Sequence, residues 1–280
     1  MTSDQSPAHY LLGHTDHELR RLDLQGEIYR TLTVRAFEEK LNHGDAVLDI
    51  GCGSGDVSLK AAEVVGATGS VLGIDRGEAA IDTAREKFER LGIEHAHFEQ
   101  HELDDFLRPD AFDAVVGRFI LMHQRDPART LASILRSVRP GGQVVMMESW
   151  MNVLRAGGHS EPLSPLYAEI VEWKSKIVGG AGADLAAGGR LRSVLEGAGA
   201  IDVQTRVEAL VAGGPTSPYY EYIEQSVRSM LPESERLGIP GFTSARAEGL
   251  GEQLRDEVVA SGGTLIAWPV VVGTGRVPAR

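Results

Sequence analysis

The chain reads Val47-Leu48-Asp49-Ile50-Gly51-Cys52-Gly53-Ser54-Gly55-Asp56 in its most informative segment. An apolar run typical of a β-strand leads into a loop with glycine at alternate positions, and a helical pattern begins near Val57. A strand, a glycine loop and a helix in this order bring backbone N–H groups and a helix N-terminus against a nucleotide-type ligand. We expect glycine here because a Cβ would block that approach and because the turn requires positive φ.

The loop differs from two common nucleotide-binding patterns. The dinucleotide fingerprint has a glycine three residues after the second glycine, where this chain has Asp56. A P-loop needs a Gly-Lys-Ser/Thr sequence, which does not follow here. On its own the loop also fits an ordinary tight turn between a strand and a helix, so its surroundings decide the interpretation.

The next predicted strand ends in a carboxylate. Val71–Asp75 is apolar up to Asp75, which lies 24 residues after Gly51. An acidic residue at this point typically binds ribose hydroxyls, because a carboxylate accepts hydrogen bonds from both. The alternative is that Asp75 caps the following helix, although Gly77 and Glu78 could begin that helix without it.

Strands and helices continue to alternate along the chain, which predicts an α/β protein with a mostly parallel sheet and helices on both faces. After residue 150 the alternation is interrupted twice by helical patterns, and a Gly/Ala-rich stretch at 179–189 fits either a lid hinge or a disordered loop. A helix is predicted over residues 15–41. The seven predicted strands cover residues 45–50, 71–75, 95–100, 112–117, 143–148, 201–210 and 264–272.

The composition excludes several classes of function. The net charge of −12 and the lack of a basic stripe disfavour a nucleic-acid partner. A single cysteine rules out an internal disulfide and a cysteine-rich zinc site, and no metal is predicted. No apolar run is long enough for a membrane span, and the first residues do not resemble a signal peptide. We therefore expect a cytoplasmic protein with no membrane partner; a homodimer stays open.

Five motifs in order make the chain resemble the class I S-adenosylmethionine (SAM) methyltransferases, in the small-molecule branch that includes ubiquinone/menaquinone biosynthesis. The resemblance covers residues 44–150 well and the remaining chain in outline. Its motifs are Val47–Gly55, Gly73-Ile74-Asp75, Phe112-Asp113-Ala114-Val115-Val116, Leu121-Met122-His123 leading to Asp126-Pro127, and Leu135–Gly142.

The resemblance implies a Rossmann-like sheet of seven strands in the order 3-2-1-4-5-7-6, with the last strand antiparallel. It also implies an N-terminal helical cap segment at 1–43 and a SAM-binding domain at 44–280. Cap insertions are expected at about 151–189 and 214–262. The implied cofactor is SAM, with S-adenosylhomocysteine as product, and the implied partner is a small organic acceptor.

The cofactor-binding positions carry over residue by residue. The loop of Gly51, Cys52 and Gly53 matches the turn beside the methionine part of SAM, and Asp49 matches the acidic residue that orients the loop or the cofactor amino group. Asp75 matches the ribose carboxylate. The remaining matches are Arg76 beside the adenine, Glu102 and Leu103 after the third strand, and Arg118 after the fourth.

Two of these matches depart from the family pattern. An Asp usually binds the adenine amino group where this chain has Glu102, whose longer arm can accept the same bond. An Asn is frequent where this chain has Arg118. The Arg118 side chain is therefore expected to point to the substrate or to the region of Glu148.

Two residues are candidate catalytic groups, His123 and Glu148. Methyl transfer from SAM needs a base only when the acceptor carries a proton of high pKa. His123 could accept such a proton, and the alternative is a hydrogen-bonded packing histidine. Glu148 ends the fifth strand, where it could act as a base or stabilise a cation, or be an ordinary loop carboxylate.

The function predicted from the sequence is methyl transfer from SAM to a small organic acceptor. One alternative is a protein of the same fold that binds SAM without methyl transfer or catalyses a non-methyl reaction. Another is a nicotinamide-dependent oxidoreductase, against which Asp56 at the third glycine position argues. Aromatic residues of the insertions, such as Tyr167, Trp173 and Tyr219, could line a substrate pocket or only pack the insertions.

Overall fold

The computed structural model of the protein describes residues 16–154 and 156–279. Its first half alternates strands and helices as the sequence pattern predicts. The elements are α1 (Asp16–Ile28), α2 (Arg30–Glu38), β1 (Ala46–Ile50), α3 (Asp56–Val65), β2 (Ser70–Asp75), α4 (Glu78–Leu91), β3 (Ala96–Gln100), β4 (Phe112–Arg118), α5 (Pro127–Leu135) and β5 (Val138–Ser149).

The second half contains more helix and a set of short strands. Its elements are β6 (Ser160–Glu161), α6 (Pro165–Gly180), α7 (Ala187–Gly197), β7 (Ile201–Glu208), β8 (Val211–Gly213), α8 (Tyr219–Arg236), α9 (Ser244–Ala247), α10 (Leu250–Ser261), β9 (Thr264–Ile266) and β10 (Val270–Arg276). None of the helices in the described part of the chain is long and apolar enough to cross a membrane.

The main sheet has seven strands in the order β3-β2-β1-β4-β5-β10-β7. The first five pair in parallel, and β10 runs antiparallel to both of its neighbours. This arrangement confirms the predicted Rossmann-like fold, with β7 and β10 as the sixth and seventh strands of the sheet. The carboxyl ends of the parallel strands therefore meet at one edge, where ligands bind in this architecture.

The sheet is buried on both faces, which explains its nearly continuous apolar strands. Val47 contributes to the core on one face, whereas Leu48 and Ile50 contribute to the core on the other. Helices α2, α3 and α4 supply apolar side chains to the first core, and α5 and α7 supply them to the second.

Two predicted elements are each divided in two in the structure. The helix predicted over residues 15–41 is two helices in its described part, separated at Tyr29. The strand predicted over residues 264–272 is also divided: β9 joins a small sheet and β10 joins the main sheet. The division falls at Ala267–Pro269, where proline has no N–H to donate to a ladder.

The Gly/Ala-rich stretch at 179–189 is ordered and not the disordered loop that the sequence allowed, while its role as a lid hinge stays a prediction. It contains the end of α6, a turn, and the start of α7. An added Cβ on Gly189 would lie 2.6 Å from the Trp150 ring, and one on Gly188 would lie 2.9 Å from the Glu148 carbonyl oxygen. These glycines let α7 approach the end of β5 closely.

The described chain forms two compact units. The sheet unit comprises residues 26–153, 186–209 and 269–279. The insertion unit comprises residues 16–25, 154–185 and 210–268. Within the insertion unit, α8 packs against α6 and α10, and β6, β9 and β8 form a three-stranded antiparallel sheet.

Candidate cofactor site

The loop between β1 and α3 holds its glycines in the left-handed region. The φ angle is 65° at Gly51, 52° at Gly53 and 80° at Gly55, which confirms the expected positive φ. An added Cβ on Gly51 would lie 2.4 Å from Cδ1 of Ile120, whereas one on Gly53 would meet no atom within 4 Å. The backbone beside Gly53 is therefore open to a ligand.

Asp49 lies in β1 with only 1% of its surface exposed. Its Oδ2 accepts a 2.6 Å hydrogen bond from the Ser58 hydroxyl, while Oδ1 has no hydrogen-bond partner in the described part of the chain. Burial is the main cause that raises the pKa of Asp49 to about 7, against the Ser58 bond and the Arg118 charge. A buried oxygen without a partner is costly, and it fits a cationic group of a ligand.

Asp75 ends β2 at the same edge of the sheet. Its Oδ2 accepts a hydrogen bond from the Gly53 N–H at 3.0 Å, and its Oδ1 accepts one from the Gly77 N–H at 2.8 Å. Gly77 is the N-cap of α4, so that helix begins without Asp75 as its cap residue. Since a carboxylate offers about four lone-pair sites, Asp75 keeps acceptor capacity for two ribose hydroxyls.

The segment after β3 is tied to the end of β2. The His101 N–H donates to the Asp75 carbonyl oxygen at 2.9 Å, and the Gln100 side chain donates to the Arg76 carbonyl oxygen at 3.0 Å. Glu102 is exposed and precedes the 3-10 turn Leu103–Asp105, in which Leu103 is buried. The predicted adenine and ribose positions thus lie on adjoining strand ends.

Arg118 ends β4, and its side chain does not take the expected direction. The guanidinium donates to Asp56 Oδ2 at 2.7 Å and to Thr33 Oγ1 at 3.1 Å, and 5% of the side chain is exposed. The expectation that it points to substrate or to Glu148 is wrong, because Asp56 supplies a buried counter-charge. The backbone at Arg118 still lies at the carboxyl edge, so the cofactor contact stays a prediction.

Glu148 lies fully buried near the end of β5. Its Oε1 accepts hydrogen bonds from the backbone N–H of Ile120 at 3.0 Å and of Leu121 at 2.7 Å, and its Oε2 accepts one from Met122 at 3.3 Å. A carboxylate with these donors is well suited to hold a turn in place. This geometry favours a positioning role for Glu148 in the 3-10 turn that carries His123.

His123 ends that turn at the carboxyl edge of the sheet. The His123 side chain is exposed to solvent in part. Desolvation by the surrounding protein atoms and the positive charge of Arg76 together lower the pKa of His123 to about 4. The imidazole is therefore neutral at physiological pH and can accept a hydrogen bond or a proton. The structure thus leaves the catalytic role of His123 as a prediction.

Cys52 is buried in the glycine loop, and burial raises the pKa of its thiol. Its backbone N–H donates to the Ile74 carbonyl oxygen at 3.0 Å, which joins the loop to β2. A protonated, buried thiol is a poor nucleophile. Cys52 is therefore a small, unreactive residue of the glycine loop.

Sequence reasoning missed three residues that shape this site. Ser58 holds Asp49, Asp56 neutralises Arg118, and Ile120 packs over the position of Gly51. The departure at Arg118 carried a signal, because a cation beside a buried strand needs a nearby carboxylate. Ser58 and Ile120 belong to ordinary helix and loop patterns, so no signal in the sequence marked them.

The remaining questions about this region concern a metal site and a separate cavity. No group of three His, Cys, Asp or Glu residues in the described ranges could hold a metal ion. A polar cavity of about 650 Å³ is lined by residues that include Asn42, Gln143, Asp202 and Arg276. These residues lie at the amino edge of the parallel strands, opposite to the glycine loop, so this cavity is not the cofactor site.

The family of the chain follows from comparison with known proteins. A family model described as a methyltransferase domain matches residues 41–199, which is more than half of the chain and contains the whole candidate site. The chain therefore belongs to the methyltransferase domain family. Residues 41–199 are thus a methyltransferase domain.

The relatives agree with this assignment. The ubiquinone/menaquinone biosynthesis C-methyltransferase UbiE of Vibrio cholerae is 31% identical over 126 residues, which are 44% of this chain and 46% of that protein. The chain thus spans about half the length of the curated relatives that it matches.

Two solved structures show the same fold. YcgJ from Bacillus subtilis has a TM-score of 0.60 at 13% identity, covering 89% of this chain and 100% of that one. The [4+2]-cyclase SpnF has a TM-score of 0.54 at 19% identity, covering 98% of this chain and 90% of that one. At such identities the likeness concerns the fold alone.

The residues at the carboxyl edge fit SAM. The space beside Gly53 admits a ligand to the loop backbone, Asp49 offers a buried oxygen without a partner, and Asp75 keeps free acceptor capacity. An α-ammonium group and two ribose hydroxyls are the groups of SAM that match these acceptors.

Proposed function

We propose that this methyltransferase transfers the methyl group of SAM to a small organic acceptor of the metabolite or natural-product type. The carrying observation is the likeness to UbiE, named as a biosynthetic C-methyltransferase, at 31% identity over 126 residues. The net charge of −12 also disfavours a polyanionic acceptor such as nucleic acid.

The proposed residue roles concern binding and alignment. Bound SAM supplies an activated sulfonium methyl group, so the protein has mainly to hold both partners in line and exclude water. Asp49 receives the α-ammonium group, Asp75 receives the ribose hydroxyls, and the backbone at Gly51, Gly53 and Arg118 borders the methionine part. Arg76, Glu102 and Leu103 border the adenine.

The proposed catalytic arrangement uses the turn after β4. His123 accepts the proton of an acceptor group that must be deprotonated, because its imidazole is neutral at physiological pH. Glu148 positions this turn through its three backbone hydrogen bonds. Glu148 therefore acts through His123 and not on the acceptor itself.

A second candidate function is a non-methyl reaction on the same fold. SpnF, which covers most of this chain in the structural comparison, is named as a [4+2]-cyclase. In this alternative SAM binds at the same loop without giving up its methyl group. Binding of SAM and transfer of its methyl group are separate measurements, so the two functions can be distinguished.

The test is transfer of radiolabelled methyl from SAM to a panel of phenols, quinols, carboxylic acids and amines, with transfer RNA as a polyanionic comparison. We expect label in organic-extractable product and none on the RNA. Tight SAM binding with no labelled product across the panel would favour the second candidate. Labelled RNA would overturn the small-acceptor proposal.

A further inference from the structure

Lys174 is a buried cation in the middle of α6, within the insertion unit. Only 4% of its surface is exposed, and it makes no hydrogen bond or ion pair in the part of the chain that the structure describes. Lys176, two residues later, has 60% of its side chain exposed and pairs with Glu172 at 2.8 Å. A buried, unpaired ammonium is costly, which calls for a reason why Lys174 is kept.

The surroundings of Lys174 are aromatic and positively charged. Its Nζ lies 4.9 Å from the centroid of the Trp268 ring and 5.4 Å from that of Tyr222. Arg21, from α1, is buried as well and is the charged group that acts on Lys174; burial and this like charge lower the pKa of Lys174 to about 7. No carboxylate of the described chain acts on the ammonium.

A second hydrogen-bond donor beside Lys174 is also unused. The indole Nε1 of Trp268 is buried and has no hydrogen-bond partner among the described residues. The aromatic side chains continue from this point, because the Tyr222 ring lies 5.6 Å from that of Tyr219, which lies 6.2 Å from that of Tyr167. The Lys174 ammonium and the Trp268 indole N–H therefore lack an acceptor among the described residues, and they lie at one end of a row of aromatic rings.

We propose that the insertion unit binds an aromatic oxyanion, a carboxylate or phenolate carried on a ring, at Lys174 and the indole N–H of Trp268. The oxyanion supplies the missing counter-charge and accepts both donors. The ring of the ligand packs against Tyr222 and Trp268, where aromatic pairs add to apolar burial. The binding step involves neither SAM nor methyl transfer, and so extends beyond the proposed function.

The test is calorimetric titration of the full chain with benzoate, 4-hydroxybenzoate, salicylate and phenylacetate, with methyl benzoate as the neutral comparison. We expect one or more of the anions to bind, and Lys174→Met to weaken that binding at least tenfold. Trp268→Phe, which removes the indole N–H and part of the ring but keeps an aromatic side chain, should weaken it several-fold. Lys176→Met, on the same helix, is the matched control and should bind as the unchanged protein does.

Proton uptake separates this site from a merely structural lysine. Above pH 7 the free amine is mostly neutral, and a bound anion favours its charged form, so binding takes up a proton. The observed enthalpy at pH 8 should then depend on the ionisation enthalpy of the buffer, and this dependence should vanish in Lys174→Met. Arg21 and Tyr222 are the other titratable side chains that face Lys174.

Three results would overturn the proposal. They are failure of all four anions to bind at millimolar concentration, equal binding by Lys174→Met, and equal binding of the neutral ester. Loss of fold in Lys174→Met is checked by thermal melting, where removal of the buried charge should leave the midpoint unchanged or higher. A SAM titration of each variant reports on the sheet unit separately.

Discussion

Asp49 and Glu148 are both buried carboxylates of the main sheet, and their partners differ. Glu148 receives three backbone N–H groups, so its hydrogen bonding is nearly complete within the protein. Asp49 receives one hydroxyl and keeps an oxygen without a partner. The difference assigns Glu148 to the structure of a turn and leaves Asp49 for a ligand.

Replacing Asp49 by Asn tests this difference through pH. The folded pKa of about 7 lies above the usual aspartate value of 3.8, so the folded state binds more protons between these values. The contribution of Asp49 to stability therefore falls as pH rises through that window. Without SAM, the free energy of unfolding of Asp49→Asn should exceed that of the parent by up to about 4 kcal/mol at pH 8 and by little at pH 4. Urea unfolding at the two pH values measures this difference.

The control for this prediction is Asp82→Asn, whose carboxyl lies on the surface of α4 with 58% of the side chain exposed. It should change the unfolding free energy little at either pH. SAM should bind Asp49→Asn more weakly than the parent. An Asp49→Asn difference that is the same at pH 4 and pH 8 would contradict the assignment of a raised pKa.

The proposed base, His123, is tested by the substitution His123→Gln. Its pKa of about 4 predicts that kcat is independent of this group's titration above about pH 5. Loss of a general base typically costs about 10²- to 10⁴-fold in kcat, with SAM affinity unchanged. His97→Gln, on the exposed side of β3, is the matched control. A His123→Gln enzyme with the parental kcat would remove His123 from the mechanism.

At the scale of elements, the strands were readable from the sequence pattern and their order from the family resemblance, while the partners of buried polar groups were not. Apolar runs between glycine turns predicted all five parallel strands. The run 264–272 reads as one strand because it is apolar almost throughout, and only Pro269 marks the change of sheet. The backbone partners of Glu148 leave no pattern in the side chains.

The turn at Leu121–His123 gives a prediction at this scale. In Glu148→Gln an amide NH₂ group must face a backbone N–H, which leaves donors without acceptors. We expect a loss of about 1–3 kcal/mol in the free energy of unfolding and a fall in kcat with little change in SAM affinity. Thermal melts and steady-state rates measure both effects.

The control for Glu148→Gln is Glu196→Gln, a surface residue of α7 that pairs with Arg192. A surface ion pair of this kind contributes about 0–1 kcal/mol. If Glu148→Gln unfolded with the parental free energy, the three N–H bonds would not be what holds the turn.

At the scale of the whole molecule, the sheet unit is assembled from three separated segments of the chain. The family model ends at residue 199, before β7 and β10, which complete the sheet. The motifs of the glycine loop and Asp75 lie within one segment, so their spacing is enough to predict a candidate cofactor site. The environment of Lys174 joins α6 with α8 and the end of the 210–268 segment, and no local pattern joins them.

The most direct measurement is a calorimetric titration of the full chain with SAM, comparing the parent, Asp75→Ala and the surface control Asp82→Ala. The account predicts that the parent and the control bind SAM alike. Asp75→Ala should bind at least about tenfold more weakly, since it loses hydrogen bonds to a charged acceptor worth about 1.5–3 kcal/mol each. No binding of SAM by the folded parent, or equal binding by Asp75→Ala, would contradict it.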